Sequence, residues 1–577
     1  MRLRTFCLLL ILLGLTLDTS AQRRKKKAAP KRTTQTKAKT KAKTKGHTTT
    51  LQRSSAKDTL LKGATIEILQ SYKPEVKNTP KPEFATNLPP VDTTTPRMDY
   101  DVPQQSLSYT YSSTPLRPLA LGNDSVENSF ANYVKLGAGN LSTLYLDAGI
   151  GSFNSYNYET NLNVHHISQA GNIEFQKSSL SSIDADGTLH RDGHALHASL
   201  DALRNRFYHY GYNHDVYTYE KEAVAKTYYG VRLGADIKNE DEGLYDLNYH
   251  PSISMSAYGV PSNAVFGASE RSFDLAVPVS YDVDSTLSLL MGVNLGIASF
   301  NDAFVKQTNN YFQLTPGVRF TKGNISGHAG LYPTVGKGGI FYILPDIEGR
   351  FGIGQSQYAF TAGWKSQLRQ NTFEQLSTIN PYMWDSYTVK QTRSDEIFGG
   401  IEGNVGNHIS FGGRLSWWKH HNMPLFINDT AFDEKRFLVV YDRVTAIALQ
   451  ANVRYQIANT FSVGLSGTWT GYSTRTFHKA WHLPGVQLKG DLMVKPLPKL
   501  AVTGYVMIMD EIYALAKGDQ SEKLSTIADI GAGAEYSFIP RLSAFIQANN
   551  ILNNKYERWR NYQAYGFNIF GGLRLKF

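Results

Sequence analysis

The chain of 577 residues has a single cysteine, Cys7, inside an apolar run near its start. Once that run is removed, no disulfide and no thiolate metal site can form. Long apolar stretches are also lacking. The run over residues 6–17 falls short of the ~20 residues that a spanning helix needs, and no later stretch comes closer. Residues 23–45 contain no acid, yet they carry twelve Lys or Arg, enough to account for the whole net charge of +11. The body of the protein is therefore not basic; it carries a basic tail. No GxSxG elbow, HExxH helix or phosphate-cradling glycine loop occurs. No catalytic residue, no metal and no cofactor is expected, and the chain does not read as an enzyme.

The N-terminal run has the make-up of an export signal. Arg2 and Arg4 precede it and Thr19-Ser20-Ala21 follow, so residues 1–21 read as a signal peptide cut after Ala21. Residues 22–63 are Lys, Ala, Thr and Pro with few apolar groups. They cannot bury enough surface to offset their ordering entropy and read as a basic, low-complexity tether. Residues 64–128 open with the strand-like ATIEILQSYKPEV and continue as a Pro/Thr-rich extended arm, in the periplasm or in the lumen of the domain that follows. An exported chain does not meet nucleic acid, so none is expected as a partner.

From residue 129 to residue 577 the pattern changes. The chain holds 34 Tyr, 28 Phe, 7 Trp and 48 Gly, and alternating segments fill this region. Phe273, Leu275, Val277, Val279, Tyr281 and Val283 share one parity before Asp284-Ser285-Thr286. Leu287, Leu289, Met291, Val293, Leu295 and Ile297 share one after it. Ile447, Leu449, Val453, Tyr455 and Ile457 repeat the design, followed after a turn by Phe461, Val463, Leu465 and Trp469. Period two means strands, and a short turn between two such runs means a hairpin. These strands reach the ~9–11 residues that cross a membrane, and their second face is Gly, Ser, Asn, Gln and Arg. That face suits a wet lumen and the apolar one suits lipid. The expected fold is all-β: a transmembrane antiparallel barrel of roughly 20 strands (18–22). Short turns are expected near residues 284, 323, 355, 407, 458, 498 and 540. Long polar connections over 371–390 and 420–436 would lie on the opposite, outer side.

The last strand must pair with the first, because an open edge in lipid leaves backbone groups unsatisfied. Tyr565, Leu573, Leu575 and Phe577 stand where outer-membrane proteins carry the C-terminal signal read by their insertion machinery. The stretch from Arg541 to Phe577 also resembles the end of TonB-dependent receptor barrels: Asn550, Leu552, Asn553 and Tyr556 match the Asn-hydrophobic-hydrophobic-Asn-x-x-Tyr turn of that family. Those receptors carry a folded plug of well over a hundred residues inside the barrel, and residues 22–128 do not read as one. The chain is more similar to the plug-less, receptor-like barrels of the Bacteroidota, with residues 132–149 as the first-strand region.

The resemblance implies a place in the outer membrane of a Gram-negative bacterium, in contact with its lipid and with the barrel-insertion machinery. The expected function is solute transport through a channel gated by the N-terminal arm, because a barrel of roughly 20 strands is wide enough to conduct unless plugged. The alternative is a scaffold that anchors periplasmic or cell-wall partners through residues 22–128. The histidines His165-His166, His190, His194, His197, His209 and His420-His421 read as loop and rim residues, since neighbours on a strand face opposite sides. Trp417-Trp418 read as part of an interfacial belt.

Overall fold

The computed structural model describes residues 132–151, 157–240, 247–261, 267–353 and 357–577. The signal peptide, tether and arm lie outside these residues. What is described is a closed antiparallel barrel of 22 strands. Its main sheet contains 25 hydrogen-bonded segments. One strand is split into Leu247–Tyr249 and Ser252–Val260, and another into Lys306–Thr308, Tyr311–Leu314 and Gly317–Lys322. Two of the three interruptions fall at Pro251 and Pro316, where the missing N–H removes a ladder bond, and the third falls at Asn309-Asn310.

The first strand, Tyr133–Gly139, pairs with the last, Asn568–Lys576, in a register from Tyr133 opposite Lys576 to Gly139 opposite Phe570. The Phe577 N–H adds a bond to the Asn132 carbonyl at 3.0 Å. The barrel thus has no free edge, as lipid demands. Glycine makes this closure possible. A Cβ on Gly572 would stand 1.7 Å from the Leu136 carbonyl oxygen, and one on Gly139 would stand 2.4 Å from Phe570 Cβ.

The two hairpins expected from the alternation are present. Ala268–Asp282 pairs with Leu287–Asp302, and Phe437–Ile457 pairs with Phe461–Thr474. Pro278 sits opposite Gly292 without breaking its strand. The turns expected near 284, 323, 407, 458, 498 and 540 all fall between consecutive strands; the one near 355 lies outside the described residues. The count of 22 is at the top of the expected range, because the first two strands are only 7 residues each.

The apolar parity faces outward along the strands. Trp364, Ile397, Trp417, Ile447, Leu449 and Trp469 are all exposed, while Ala446 and Ala448 on the opposite parity are buried. Exposed aromatics of this kind form the belts at the membrane–water interface. Ile409–Asn428 and Phe437–Ile457 have 20 and 21 residues, about twice what a membrane crossing needs. Their outer ends therefore rise above the bilayer.

The connections at that outer end correct two expectations. Residues 420–428 are not loop: they continue the strand Ile409–Asn428 past a register shift between His420 and Met423, and only 429–436 turn. Residues 371–390 are a connection, but they do not project as a polar loop; they fold inward and bury Phe373, Leu376, Met383 and Val389.

Candidate functional site: the bridged outer mouth

The inward-folded connection begins with a helix, Phe373–Ile379. Thr372 caps it: its hydroxyl accepts from the Gln375 N–H, and the Gln375 side chain reaches back to the Thr372 N–H. This T-x-x-Q box satisfies two of the orphan donors of the first turn. Glu270, on the wall strand Ala268–Asp282, accepts from the Phe373 N–H at 2.8 Å and the Glu374 N–H at 3.3 Å. A carboxylate at a helix start also meets the positive end of its dipole.

More wall residues tie the segment down. Lys226 pairs with Asp385 at 2.6 Å and donates to the Met383 carbonyl at 2.8 Å. The Tyr228 hydroxyl donates to the Pro381 carbonyl at 3.1 Å, and Ser377 donates to the Tyr258 hydroxyl at 2.9 Å. Arg232 pairs with Glu374 at 2.7 Å. From a neighbouring strand, Gln307 donates to the Tyr387 carbonyl and accepts from the Val389 N–H.

These wall residues belong to strands in the first half of the barrel, yet the segment also reaches the second half. Met383 forms a parallel bridge with Phe437. The Trp384 N–H donates to the Phe437 carbonyl at 2.8 Å, and the Phe437 N–H donates to the Tyr382 carbonyl at 3.2 Å. The segment therefore spans from the wall strand Ala225–Asn239 to the wall strand Phe437–Ile457. Around it lies one apolar cluster that includes Phe207, Tyr228, Tyr258 and Phe300 from one side, Phe426 and Phe437 from the other, and Trp559 and Tyr562 from the last outer connection. Half of its ring pairs, such as Phe207–Tyr382 at 5.3 Å and 86°, are edge-on, an arrangement aromatic quadrupoles favour. Tyr382 stacks on Tyr562 at 3.6 Å. The outer mouth is thus crossed by a packed aromatic layer.

Two histidines sit in this layer as neutral bases. His482, in the connection 475–485, is packed by Phe437 and Trp559 at 5.3 and 5.0 Å. Neither ring nitrogen has a hydrogen-bond partner, and burial pulls its pKa down to about 3. His209 is also buried, and burial, with Lys226 second, holds its pKa well below the ordinary value. Its Nδ1 lies 3.2 Å from both the Lys435 carbonyl and the Tyr562 hydroxyl.

The other histidines are distributed differently from the loop-and-rim expectation. His165 and His166 do face opposite sides, bonding to Asp147 and to Ser181. His197, however, lies within a strand, and Asp236 bridges it to His250 at 2.9 and 2.7 Å. His420 bonds Ser394, while Arg393 donates to His421. Of the tryptophan pair, only Trp417 is in the belt; Trp418 stacks on His420. Among the described residues no group of three or more His, Cys, Asp or Glu is placed to hold a metal ion.

The residues singled out at the C-terminus gather on the connection before the last strand and on that strand itself. The Asn550 side chain donates to the carbonyls of Asn554 and Tyr565 and accepts from the Asn554 N–H. Asn553 accepts from the Phe567 N–H at 2.9 Å. Both have positive φ, 45° and 49°, which asparagine tolerates better than most residues. Leu552 is exposed, and the Tyr556 hydroxyl donates to Asp529 at 2.8 Å. Leu573, Leu575 and Phe577 are exposed. Tyr565 precedes the strand, and its hydroxyl donates to Ser178 at 3.0 Å.

The sequence alone does not reveal the aromatic layer, because the segment over 371–390 reads as a polar connection. Signals were there: the Thr372–Gln375 box, and Phe373 and Leu376 one helical turn apart.

No protein-family model matches the chain, and no curated protein matches it. Solved structures do. The FrpB iron transporter from Neisseria meningitidis (F3-3 variant) aligns with a TM-score of 0.60 at 10% identity, covering 78% of this chain and 81% of that one. The ferripyoverdine receptor of the outer membrane of Pseudomonas aeruginosa aligns with a TM-score of 0.57 at 12% identity, over 78% and 72%. The siderophore receptor PiuA from Acinetobacter baumannii aligns with a TM-score of 0.55 at 9% identity, over 77% and 82%. At such identities the likeness is one of fold: the chain is a 22-stranded barrel of the kind these outer-membrane receptors share.

Proposed function

We propose that the protein moves solutes across the outer membrane through its lumen, and that residues 370–391 form a barrier at the outer mouth which must shift for passage. The observation that carries this reading is the segment seated across the mouth, joined to Lys226 on one wall and to Phe437 on another. A barrel of 22 strands is wide enough to conduct unless something fills it. The solved structures of similar fold are described as an iron transporter and as receptors for ferripyoverdine and siderophores, which supports transport without naming the cargo here. The absence of a folded plug belongs to the same proposal, and so does the reading of Leu573, Leu575 and Phe577, with Tyr565, as the assembly signal. Gating by the arm over 64–128 is the alternative to a barrier at residues 370–391.

The test uses the lack of cysteine after Cys7. Met383 and Phe437 are bridge partners, so their Cα atoms fall within disulfide reach. Met383→Cys with Phe437→Cys is expected to silence single-channel events in a planar bilayer when oxidised and to restore them on reduction. Equal conductance in both states would overturn the reading.

A further inference from the structure

The outer wall carries cations that the transport reading does not use. On the strands Ile409–Asn428, Phe437–Ile457 and Phe461–Thr474, odd positions face outward. Leu415, Trp417, Ile447, Leu449 and Trp469 are between 41% and 55% exposed, while Ser416, Val444 and Ala446 are buried. Following the same parity toward the outer end, the next outward residues include Lys419, Arg443 and Arg475. Lys419 is opposite Thr445, and Arg443 is two residues from Thr445 on the same face. Arg475 extends the next strand by one residue, its N–H donating to the Arg443 carbonyl at 3.1 Å. The two guanidinium groups are therefore cross-strand neighbours on one face.

Like charges placed directly opposite destabilise a sheet, so this arrangement calls for an anion. The chain does not supply it. Among the described residues, none of the three cations forms an ion pair. Asp395 stands directly opposite Lys419 on the adjoining strand, but its oxygens are taken by Arg393 at 3.3 Å and by Ser366 at 2.6 Å, and neither Arg443 nor Arg475 has an acid opposite it. Asp442 faces inward and accepts from the backbone N–H groups of Arg443, Thr476 and Phe477. The site lies just beyond the exposed ring of Trp417 and Trp469, the level at which tryptophan marks the membrane–water interface. Phosphate groups of lipid headgroups occupy that level, and guanidinium matches phosphate with paired, charge-assisted hydrogen bonds.

A second sector also carries outward cations, here opposite serines. Arg204 and Arg206 face outward opposite Ser181 and Ser179, with Lys177 on the same face. None of these three forms an ion pair among the described residues, and Arg206 Nε has no hydrogen-bond partner.

We propose that Lys419, Arg443 and Arg475 form a binding site on the outer wall for the phosphate of a phosphorylated glycolipid headgroup in the outer leaflet. The protein gathers this lipid around its outer rim whatever passes through the lumen.

The experiment is native mass spectrometry of the full-length protein in detergent, titrated with diphosphoryl lipid A, with its dephosphorylated counterpart and with inorganic phosphate. The proposal expects a discrete lipid A adduct that weakens at least tenfold in Lys419→Gln/Arg443→Gln/Arg475→Gln. It expects Arg443→Lys/Arg475→Lys, which keeps the charge but not the paired hydrogen bonds, to weaken the adduct, though less than the triple variant does. Heat-modifiable gel mobility verifies that each variant is folded, and the charge-keeping variant carries the test if the triple variant does not fold. Equal adducts with phosphorylated and dephosphorylated lipid, or equal adducts in wild type and triple variant, would overturn it. So would binding of inorganic phosphate as tight as that of lipid A.

Discussion

At the residue scale the most informative group is His482. Its folded pKa is lowered from 6.5 to about 3 by burial. A base whose pKa falls on folding binds fewer protons folded than unfolded. Its contribution is therefore complete above the unfolded value and is lost as pH falls from 6.5 toward 3, at up to ~1.4 kcal/mol per pH unit. His209 acts in the same direction. Acidification below pH 6 is thus expected to loosen the aromatic layer before the wall unfolds. His482→Leu should flatten the acid limb of a thermal or urea melt; an unchanged limb would mean that other groups control it. The Lys226–Asp385 pair makes a second residue-scale prediction. Lys226 is buried, and removing one partner of a buried pair costs about 3–5 kcal/mol. Asp385→Ala should raise protease access to residues 370–391 while leaving barrel mobility on gels intact. Unchanged cleavage would remove the pair from the list of anchors.

At the element scale, the strands were legible because period two is a property of each segment by itself. Ile447 to Ile457 and Phe273 to Val283 announce their faces without knowledge of any partner. What was not legible is the burial of residues 370–391. Phe373, Leu376 and Met383 are buried only because distant strands bring Tyr228, Phe300 and Phe437 to the same place, and no local period reports that. The strand through His420 and Met423 was cut short for a related reason: its register shift breaks the alternation where the chain still pairs. The C-terminal asparagines were visible as a motif, but their work, satisfying backbone groups in a tight connection, is visible only in three dimensions. The seam is the element whose failure is easiest to force. Gly572→Ala would put a methyl group 1.7 Å from a backbone oxygen, and neither strand can move without losing its ladder. That variant is expected to accumulate as unfolded, heat-unmodifiable protein in the periplasm. Normal insertion would show that the first strand can be displaced from the last at little cost.

At the scale of the whole molecule, the wall and the outer layer set different limits on flow. The wall defines a wide lumen, and the arm over 64–128 was expected to be its gate. The layer across the outer mouth is built from residues 370–391, the wall strands and their outer connections, so its resistance must remain when residues 22–128 are gone. Removing residues 22–128 alone is therefore expected to leave conductance in a planar bilayer close to that of the intact chain. Replacing residues 373–389 with a short glycine–serine link, with the arm still absent, is expected to raise it by an order of magnitude or more, because Phe373, Leu376 and Met383 leave the mouth together. If the arm deletion alone opens a large, stable conductance, the outer layer is not the barrier and the arm is the gate. If only the double change conducts, the barrier is the segment bound to Lys226 and Phe437, and a solute arriving from outside must first displace it.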